Sequence, residues 1–347
     1  MSPASRTAGH KLKILTDMHS LAEFGTENVS ISVVPYPKGR YPVLNVMRGF
    51  LVSFSCDYIV LNFTPTRILL LAFCKLLIPI HRAKLVSLDL ILTVPEGTRD
   101  RFMCCVKIIL LKKVYRFLVY FKNTTGYQRI YRVAGNKFVY IPFKINSIEL
   151  VLKQSITDEA YIFCGGKSRR DFGTLFSAIA GQPVSVRVVT PTNDHIAEHG
   201  SFLDPSQLPA NVQVVHDDGT PQSFLKQMAA ARLVVLPIKR NNLSASGLGV
   251  YIMAMALKKC VIISAGPGVD DNLTGGQAII VPPEDPVALR SAILQAFHDD
   301  EYRNLVADNG YRYAMSLGGT KRLLASIAHW LAADCSRQDS SNATMEK

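Results

Sequence analysis

The stretch SASGLGVYIMAMALKKCVIIS, Ser244–Ser264, contains the elements of one α/β unit. A loop of small residues precedes an apolar helical segment, and a β-branched strand follows after only two lysines. The first amides of a helix have no partner within it, so a small-residue turn at this place is a common anion site. The helix contains no acidic residue. The stretch predicts strand–helix alternation and leaves open whether its turn binds phosphate or only packs.

The same alternation extends outward from this unit in both directions. In the first half, the patterns predict strands at 12–17, 29–37, 57–63, 83–92 and 115–122 and helices at 41–55, 64–77 and 99–114. In the second half, they predict strands at 160–166, 184–190, 212–218, 232–238 and 278–282 and helices at 171–180, 221–231, 247–257, 286–299 and 301–317. Continuous apolar strands that alternate with helices indicate parallel sheets covered on both faces.

The length of 347 residues is sufficient for two domains of ordinary size. We predict an α/β protein with two Rossmann-like domains that face each other across a cleft. The first comprises residues 1–145 and the second 146–318. A helix at 319–333 can cross back to the first domain, and the polar tail 334–347 is expected to be disordered. Ligands of such sheets bind at the carboxyl ends of the strands.

The charge is distributed unevenly between the two halves. Residues 1–150 contain 21 Lys and Arg against 8 Asp and Glu, a balance of +13, whereas the remainder has 18 against 19, a balance of −1. A basic half beside a neutral half predicts an anionic partner. We favour an anionic membrane surface, to which the basic residues of the 99–114 helix could contribute. Nucleic acid is disfavoured because the basic residues are scattered and no base-stacking motif is present.

Cysteine spacing and hydropathy indicate in which cellular compartment the protein functions. The seven cysteines form no metal-binding pattern and several lie in apolar runs, which is typical of a reducing compartment. The N-terminus lacks the apolar core of a secretory signal. The apolar run 68–80 is too short for a membrane span, and 104–121 is interrupted by four basic residues. We therefore expect a cytoplasmic protein, peripheral on the inner membrane.

Four motifs of the second half occur in an order that is typical of one enzyme class. They are GGKSRRD at 165–171, SASGLGV at 244–250, MAMALKKCVIIS at 253–264 and IIVPPEDPVALRSAI at 279–293. This succession resembles the nucleotide-binding domain of GT-B glycosyltransferases, above all the family 4-type enzymes of bacterial polysaccharide and glycolipid synthesis. The resemblance covers residues 150–318, and before 150 it is only architectural.

The resemblance implies a hexosyltransferase of the EC 2.4 class. Its donor would be a UDP- or GDP-linked sugar, its acceptor a lipid-linked sugar or a polysaccharide, and it would need no further cofactor. An epimerase of sugar nucleotides on the same fold is a second possibility for this donor site.

The expected diphosphate site combines two loops. Amides at the start of the 247–257 helix and a glycine turn beside two cations suit phosphate oxygens. The residues are Gly165, Gly166, Lys167, Arg170, Ser246, Gly247, Leu248 and Gly249. Asp171 is expected to cap the helix that follows. The nucleobase is expected at 189–193 or 215–219, where His216 is a candidate for stacking.

The sequence departs from the family at its acidic positions. Family 4 enzymes carry a Glu-x7-Glu pair that contacts the sugar and the ribose, but Ala245 and Met253 occupy these positions here. Lys258 and Cys260 replace the usual Gly and Pro. Three interpretations are compatible with this: the donor binds through other groups, the enzyme belongs to a divergent branch for which inversion is an option, or the chain is a catalytically silent subunit that partners an active transferase.

An inverting transfer requires a carboxylate that accepts the acceptor proton. Asp17 and Asp89 of the first domain are the candidates, with His19 as a further acid/base residue. Asp89 lies in a predicted apolar strand, where a charge is costly without a function. A retaining transfer would need no protein base. No convincing Asp-x-Asp loop is present, so we expect no metal, with the basic site neutralising the leaving diphosphate.

Overall fold

The computed structural model describes residues 10–26, 29–62, 64–191, 196–197, 199–240 and 243–345. The chain divides into two compact units, one formed by residues 1–120, 124–142 and 321–347, the other by 121–123 and 143–320. The main boundary lies three residues before the predicted one, and the C-terminal helix belongs to the first unit.

The first unit contains a parallel six-stranded sheet of order β2-β1-β3-β4-β5-β6. Its strands are β1 His10–Thr16, β2 Val29–Pro35, β3 Tyr58–Leu61, β4 Lys84–Leu88, β5 Arg116–Val119 and β6 Phe138–Tyr140. Its helices are α1 Pro42–Val52, α2 Pro65–Leu77, α3 Gly97–Leu111 and α4 Thr125–Tyr131, with short 3-10 turns at His19–Phe24, Ser53–Ser55 and Gly135–Lys137. Strand β1 pairs with β2 on one side and β3 on the other, so the strand order reverses there.

The second unit repeats this architecture with the sheet order β12-β11-β10-β7-β8-β9. Its strands are β7 Tyr161–Gly165, β8 Ser185–Thr190, β9 Val212–His216, β10 Leu233–Leu236, β11 Cys260–Ser264 and β12 Ile279–Val281. Its helices are α5 Ile148–Val151, α6 Phe172–Ile179, α7 Pro221–Ala229, α8 Leu248–Ala256, α9 Pro286–His298 and α10 Asp300–Leu317, with a 3-10 turn at Pro205–Gln207. Helix α11, Thr320–Met345, ends the described chain.

Apolar strands explain the layered core of the second unit. Strands β7, β10 and β11 are buried along their whole length. Alternate strand residues such as Ile162 and Val188 pack with Phe172, Leu289 and other apolar residues of α6 and α9. Burial on both faces is the reason that these strands read as continuous apolar runs. The predicted α/β class with two Rossmann-like units is confirmed.

The two lysines of the Ser244–Ser264 stretch have structural functions. Lys258 follows α8 with a left-handed φ of 56°, at the place where the family usually has glycine. The buried Lys259 donates from Nζ to the carbonyls of Thr157 at 2.8 Å and Ala231 at 2.7 Å. Together they turn the chain from helix to strand and tie it to two neighbouring segments.

The predicted disordered tail at 334–347 was wrong, because α11 continues to Met345. Asp334 and Cys335 are both buried. The Asp334 carboxylate accepts hydrogen bonds from the hydroxyls of Tyr58 at 2.8 Å and Tyr115 at 3.1 Å. The ammonium of Lys84 lies over both phenol rings. The polar residues after position 333 therefore include one, Asp334, that makes a buried polar contact within the first unit.

Replacing Asp334 with Ala should lower the free energy of unfolding by about 2–4 kcal/mol, because the buried Tyr58 hydroxyl loses its acceptor. Chemical denaturation measures this difference. Asp308→Ala is the matched control on α10, since its ion pair with Lys258 is half exposed and should contribute at most about 1 kcal/mol. Equal effects of the two substitutions would contradict the assigned role of Asp334.

Candidate functional site

A buried arginine lies at the carboxyl edge of the second sheet. Only 1% of Arg170 is exposed. Its Nε donates to the carbonyl of Gly165 at 2.8 Å and its Nη1 to the carbonyl of Ser168 at 2.9 Å. Ser201 Oγ accepts from the Arg170 amide and donates to the carbonyl of Lys167. The loop after β7 is thereby folded around the guanidinium.

The guanidinium of Arg170 has no carboxylate partner among the residues that the structure describes. Burial lowers its pKa to about 10, with an opposing effect of Cys164, so the group stays charged at neutral pH. A buried charge is unfavourable unless an opposite charge compensates it. Backbone carbonyls supply only part of that compensation. The geometry is that of a cation which an anionic ligand can neutralise.

The N-terminus of α8 lies beside the same guanidinium. Gly247, with φ of +80°, is the N-cap, and its carbonyl accepts from the amides of Val250 and Tyr251. A Cβ at Gly247 would stand 3.5 Å from Arg170 Nη1, and one at Gly166 would stand 2.6 Å from Nη2. The guanidinium therefore lies close to both glycines. The positive end of the helix dipole and the side-chain charge converge there.

The strands on either side of β7 explain why the loops of Gly166 and Gly247 lie close together. Strand β7 pairs with β8 and with β10, so the strand order of the second sheet reverses between β7 and β10. Ligands of open α/β sheets bind outside the carboxyl ends of the strands at such a reversal. The loop of Gly166 follows β7, and the loop that leads to Gly247 follows β10. An isolated bridge between Arg170 and Ile238 joins them.

The remaining residues of the predicted diphosphate site divide between interior and surface. Ser246 and Leu248 are buried, Gly249 is partly buried, and Lys167 is exposed. Leu248 and Gly249 are the first residues of α8, where amides have no acceptor within a helix. Asp171 caps α6 by accepting from the Thr174 amide at 3.1 Å, which confirms its predicted role.

A pocket of about 270 Å³ adjoins the two glycine loops. Its lining residues come from three segments of the second unit: Asn146, Ser147, Asp217, Gly219, Thr220, Pro221, Phe224, Leu225 and Met253. A Cβ at Gly165 would meet the Phe224 ring at 3.0 Å, and one at Gly249 would meet Asn146 Nδ2 at 2.8 Å. The pocket wall thus lies in direct contact with the glycines of the predicted diphosphate site.

The pocket lies at one of the two strand ends where the nucleobase was expected. Asp217 and Gly219 of the 215–219 segment line it. His216, the last residue of β9, is exposed and does not belong to the lining. In the alternative segment 189–193, residues 192 and 193 lie outside the described part of the chain.

Sequence reasoning did not identify Asn146, Ser147 or Phe224 as site residues. The Thr220–Pro221 pair is a helix-start signal directly after a strand end, and it could have directed attention to Phe224 one turn later. Asn146 and Ser147 lie near the start of the second unit, directly before α5, where no local pattern indicates a ligand. Only the folded chain brings them next to Gly249.

The two candidate carboxylates of the first unit follow different strands. Asp17 comes directly after β1, and its Oδ1 accepts from the Asn62 amide at 3.2 Å, at the reversal between β1 and β3. Asp89 was predicted within a strand, but β4 ends at Leu88 and Asp89 follows it with φ of +50°. The left-handed backbone ends the strand at this residue, although its amide still donates to the Leu118 carbonyl of the neighbouring strand.

The environment of Asp89 favours its protonated form. Burial raises the pKa of this carboxyl from 3.8 to about 6. Burial also raises the pKa of Tyr120, which follows the adjacent strand β5, and the charge of Asp89 adds to that rise. A carboxyl with a pKa near neutrality suits proton transfer at physiological pH. His19 is exposed in its 3-10 turn.

The described residues offer neither a metal site nor a membrane span. No group of three His, Cys, Asp or Glu side chains converges there in a way that could hold a metal ion. In that same part of the chain, every helix is too short or too polar to cross a bilayer.

Comparison with known proteins gives matches in structure only. No family model matches the chain, and no curated protein matches it. HepE of Anabaena, in its complex with UDP-glucose, superposes with a TM-score of 0.64 at 13% identity, over 93% of this chain and 100% of that one. Sucrose-phosphate synthase of Thermosynechococcus elongatus gives 0.66 at 14%, over 94% and 100%. The UDP-forming trehalose-phosphate synthase of Burkholderia vietnamiensis gives 0.60 at 10%, over 94% and 99%.

The chain has the GT-B fold. Its two Rossmann-like units and the near-complete coverage of these glycosyltransferases agree on this point. At identities of 10–14%, the similarity concerns the fold. Any reaction that the chain catalyses depends on its own residues.

Replacing Gly166 with Ala should move the Arg170 guanidinium, because the new Cβ would stand 2.6 Å from Nη2. Gly181→Ala is the matched control: Gly181 also has a positive φ, but nothing lies within 4 Å of its Cβ position. Backbone strain alone should cost about 1–2 kcal/mol in the control, and Gly166→Ala should cost at least about 1 kcal/mol more. Urea unfolding measures both, and equal losses would show that the guanidinium is not held there.

Replacing Asp89 with Asn should stabilise the protein at pH 7. The folded-state pKa of about 6 exceeds the ordinary 3.8, so the folded protein binds more protons in this interval and the stability contributed by protonated Asp89 is lost as pH rises through about 6. We expect a gain of about 1–2 kcal/mol at pH 7 that vanishes near pH 4.

Urea unfolding across this pH range checks the expectation for Asp89. Asn is suitable because it tolerates the left-handed backbone. Asp89→Ala is the control: it removes the same titration but adds backbone strain, so it should share the altered pH slope at a lower overall stability. An unchanged pH slope in both variants would contradict the raised pKa.

Proposed function

We propose that this chain is a glycosyltransferase that moves a sugar from a nucleoside diphosphate donor to a hydroxyl of an acceptor. The acceptor is a lipid-linked sugar or a polysaccharide, which makes the enzyme part of glycan or glycolipid synthesis. In the reaction, the bond between the sugar C1 and the diphosphate oxygen breaks and a bond from C1 to the acceptor oxygen forms. The acceptor proton passes to a base or to the leaving phosphate.

The observation that carries the proposal is the uncompensated charge of Arg170 beside the N-terminus of α8. A diphosphate would accept hydrogen bonds from the guanidinium and from the free amides at Leu248 and Gly249. The exposed Lys167 of the same loop would add a second positive charge. These groups would neutralise the negative charge that develops on the leaving diphosphate, which is the role of a metal ion in other enzymes. The proposal therefore includes no metal and no cofactor besides the donor.

The adjoining pocket suits the nucleoside part of such a donor. Phe224, Leu225 and Met253 give it an apolar wall, while Asn146 and Asp217 add polar groups. Small-molecule sites typically combine an apolar lining with a few polar groups that fix orientation. Met253 occupies the position of the family's ribose-binding glutamate, so we assign contacts with the ribose hydroxyls to Asn146 or Asp217. The bound UDP and UDP-glucose of HepE are consistent with this class of donor.

The first unit supplies the acceptor side in this proposal. Its balance of +13 over residues 1–150 would attract the anionic cytoplasmic face of the inner membrane, where lipid-linked acceptors reside. For an inverting transfer, Asp89 is the preferred base because of its pKa of about 6, and Asp17 at the strand reversal is the second candidate.

A second candidate function rests on Ala245 and Met253. Both replace the glutamates that contact sugar and ribose in the family that the sequence resembles. A chain that binds the nucleotide without transferring the sugar could act as a silent subunit of an active transferase. This alternative shares the diphosphate site and differs only in turnover.

Calorimetric titration tests the diphosphate site. The chain should bind UDP or GDP, and Arg170→Lys and Lys167→Ala should each weaken that binding by about tenfold, since a charge-assisted hydrogen bond contributes about 1.5–3 kcal/mol. Binding of the matching nucleoside should change little. Arg240→Ala is the control, because this arginine is exposed and pairs with Glu284. Equal losses for diphosphate and nucleoside would contradict the assigned roles.

The same preparations distinguish enzyme from silent subunit. With sugar nucleotides and a membrane extract, an active transferase releases UDP or GDP, and loss of release in Asp89→Asn with donor binding intact would identify the base. Binding without release across a full panel of donors and acceptors would favour the silent subunit. Absence of binding for every nucleoside diphosphate would contradict both.

A further inference from the structure

Helix α1 of the first unit is apolar on both of its sides. Val46 and Phe50 are buried against the unit. On the opposite side, Val43, Met47 and Leu51 follow one another at intervals of four residues and are 58%, 54% and 66% exposed. Such spacing places the three side chains in one row along the helix. An apolar row that faces solvent is unusual for a surface helix, which normally carries polar residues there.

Exposed apolar side chains also lie at the C-terminal end of α2 and directly after it. Leu77 and Ile80 are 64% and 78% exposed. His81 links the two helices: its ring stacks on Phe50 at 4.4 Å and meets the half-exposed Phe54 edge-on at 4.7 Å. Of the 22 exposed large apolar side chains in the described residues, 12 lie between residues 41 and 80. We call the surface of Val43, Met47, Leu51, Phe54, Leu77 and Ile80 the docking face.

A buried polar network holds the end of α1 against the loop after α2. Ser53 Oγ donates to the Phe50 carbonyl at 2.7 Å and lies 2.8 Å from His81 Nε2. Because this hydroxyl already donates to a carbonyl, the histidine donates to it. Lys75 Nζ donates to the carbonyls of His81 and Ala83 and lies 2.9 Å from His81 Nδ1. The docking face is therefore part of a fixed surface and not of a loose loop.

The charge around the docking face has one sign. Between residues 28 and 88 the chain contains seven basic residues and a single acidic one, Asp57. Arg40 and Arg48 flank the row on α1, and Arg82 follows Ile80; all three are exposed. Apolar side chains with a basic fringe match the interface of an anionic bilayer, where the first enter the acyl boundary and the second meet the headgroups.

We propose that the docking face inserts into the surface of an anionic lipid bilayer. This assignment specifies the membrane partner of the proposed function and rests on it. A second copy of the chain fits less well, because a two-fold interface would bring the same basic patch against itself. The docking face also differs from the surface expected from sequence, since α1 exposes five large apolar residues and α3, the helix predicted at 99–114, exposes three.

Vesicle sedimentation with the full chain tests the docking face. The wild type should sediment with phosphatidylcholine vesicles that contain phosphatidylglycerol and remain in solution with phosphatidylcholine alone. The double variant Met47→Glu/Leu51→Glu should lower the partition coefficient by about tenfold or more, because it removes two inserting side chains and adds two negative charges.

The matched control is Val287→Glu/Leu305→Glu in the second unit, where both side chains are similarly exposed at 73% and 58%. It should bind vesicles as the wild type does, and both double variants should keep the unfolding midpoint of the wild type. Wild-type binding by Met47→Glu/Leu51→Glu would overturn the proposal. So would a wild-type dimer that this variant turns into a monomer without any vesicle binding.

Titration with UDP or GDP in the absence of lipid separates this inference from the proposed function. A wild-type protein that binds UDP or GDP but does not bind the vesicles would overturn the docking face alone. Vesicle binding that depends on Met47 and Leu51, in a protein that binds no nucleoside diphosphate, would support the docking face and contradict the proposed function.

Discussion

The buried positive charge of Arg170 is the constraint on which the organisation of the second unit depends. A guanidinium that is 1% exposed needs acceptors, and the loop after β7 supplies two of them as backbone carbonyls. To do so, the loop takes a left-handed turn at Gly166, where a side chain would collide with the same guanidinium. The start of α8 then faces this charge with unpaired amides, so two positive features meet where the strand order reverses. An anion bound between them, as proposed, would relieve their mutual repulsion.

In both units, charged residues follow the ends of the sheet strands, but they are cations in the second unit and carboxyl groups in the first. In the second unit, glycines and cations follow the strand ends. In the first unit, carboxyl groups follow them: Asp17 accepts a backbone amide at the strand reversal, and Asp89 has a pKa of about 6 after the next strand but one. Parallel strands place successive loops at one edge, so residues far apart in sequence share that edge. Most exposed large apolar side chains of the first unit lie instead on its helices.

Much of this arrangement could be predicted from local patterns. Strand and helix positions, the helix start at Gly247 and the Asp171 cap follow from apolar periodicity and capping rules. Other features could not, because they depend on partners distant in sequence. The buried Asp334 reads as the start of a polar tail until Tyr58 and Tyr115 are placed beside it. The sequence pattern places Asp89 within a strand, whereas its left-handed backbone places it in the turn after β4. The outer row of α1 reads as an ordinary buried helix face.

The sequence by itself determined the α/β class, the two Rossmann-like units and the loops that carry glycine and positive charge, because these depend on periodicities and turn residues within short segments. The tertiary structure decided which charges are compensated and which surfaces are covered. Arg170 is buried without a carboxylate while Lys167 in the same motif is exposed. Asn146 lines the pocket from the segment before α5, and α1 keeps an apolar row in solvent. Burial and electrostatic compensation are properties of the space around a residue, and that space is formed by segments that the sequence alone does not bring together.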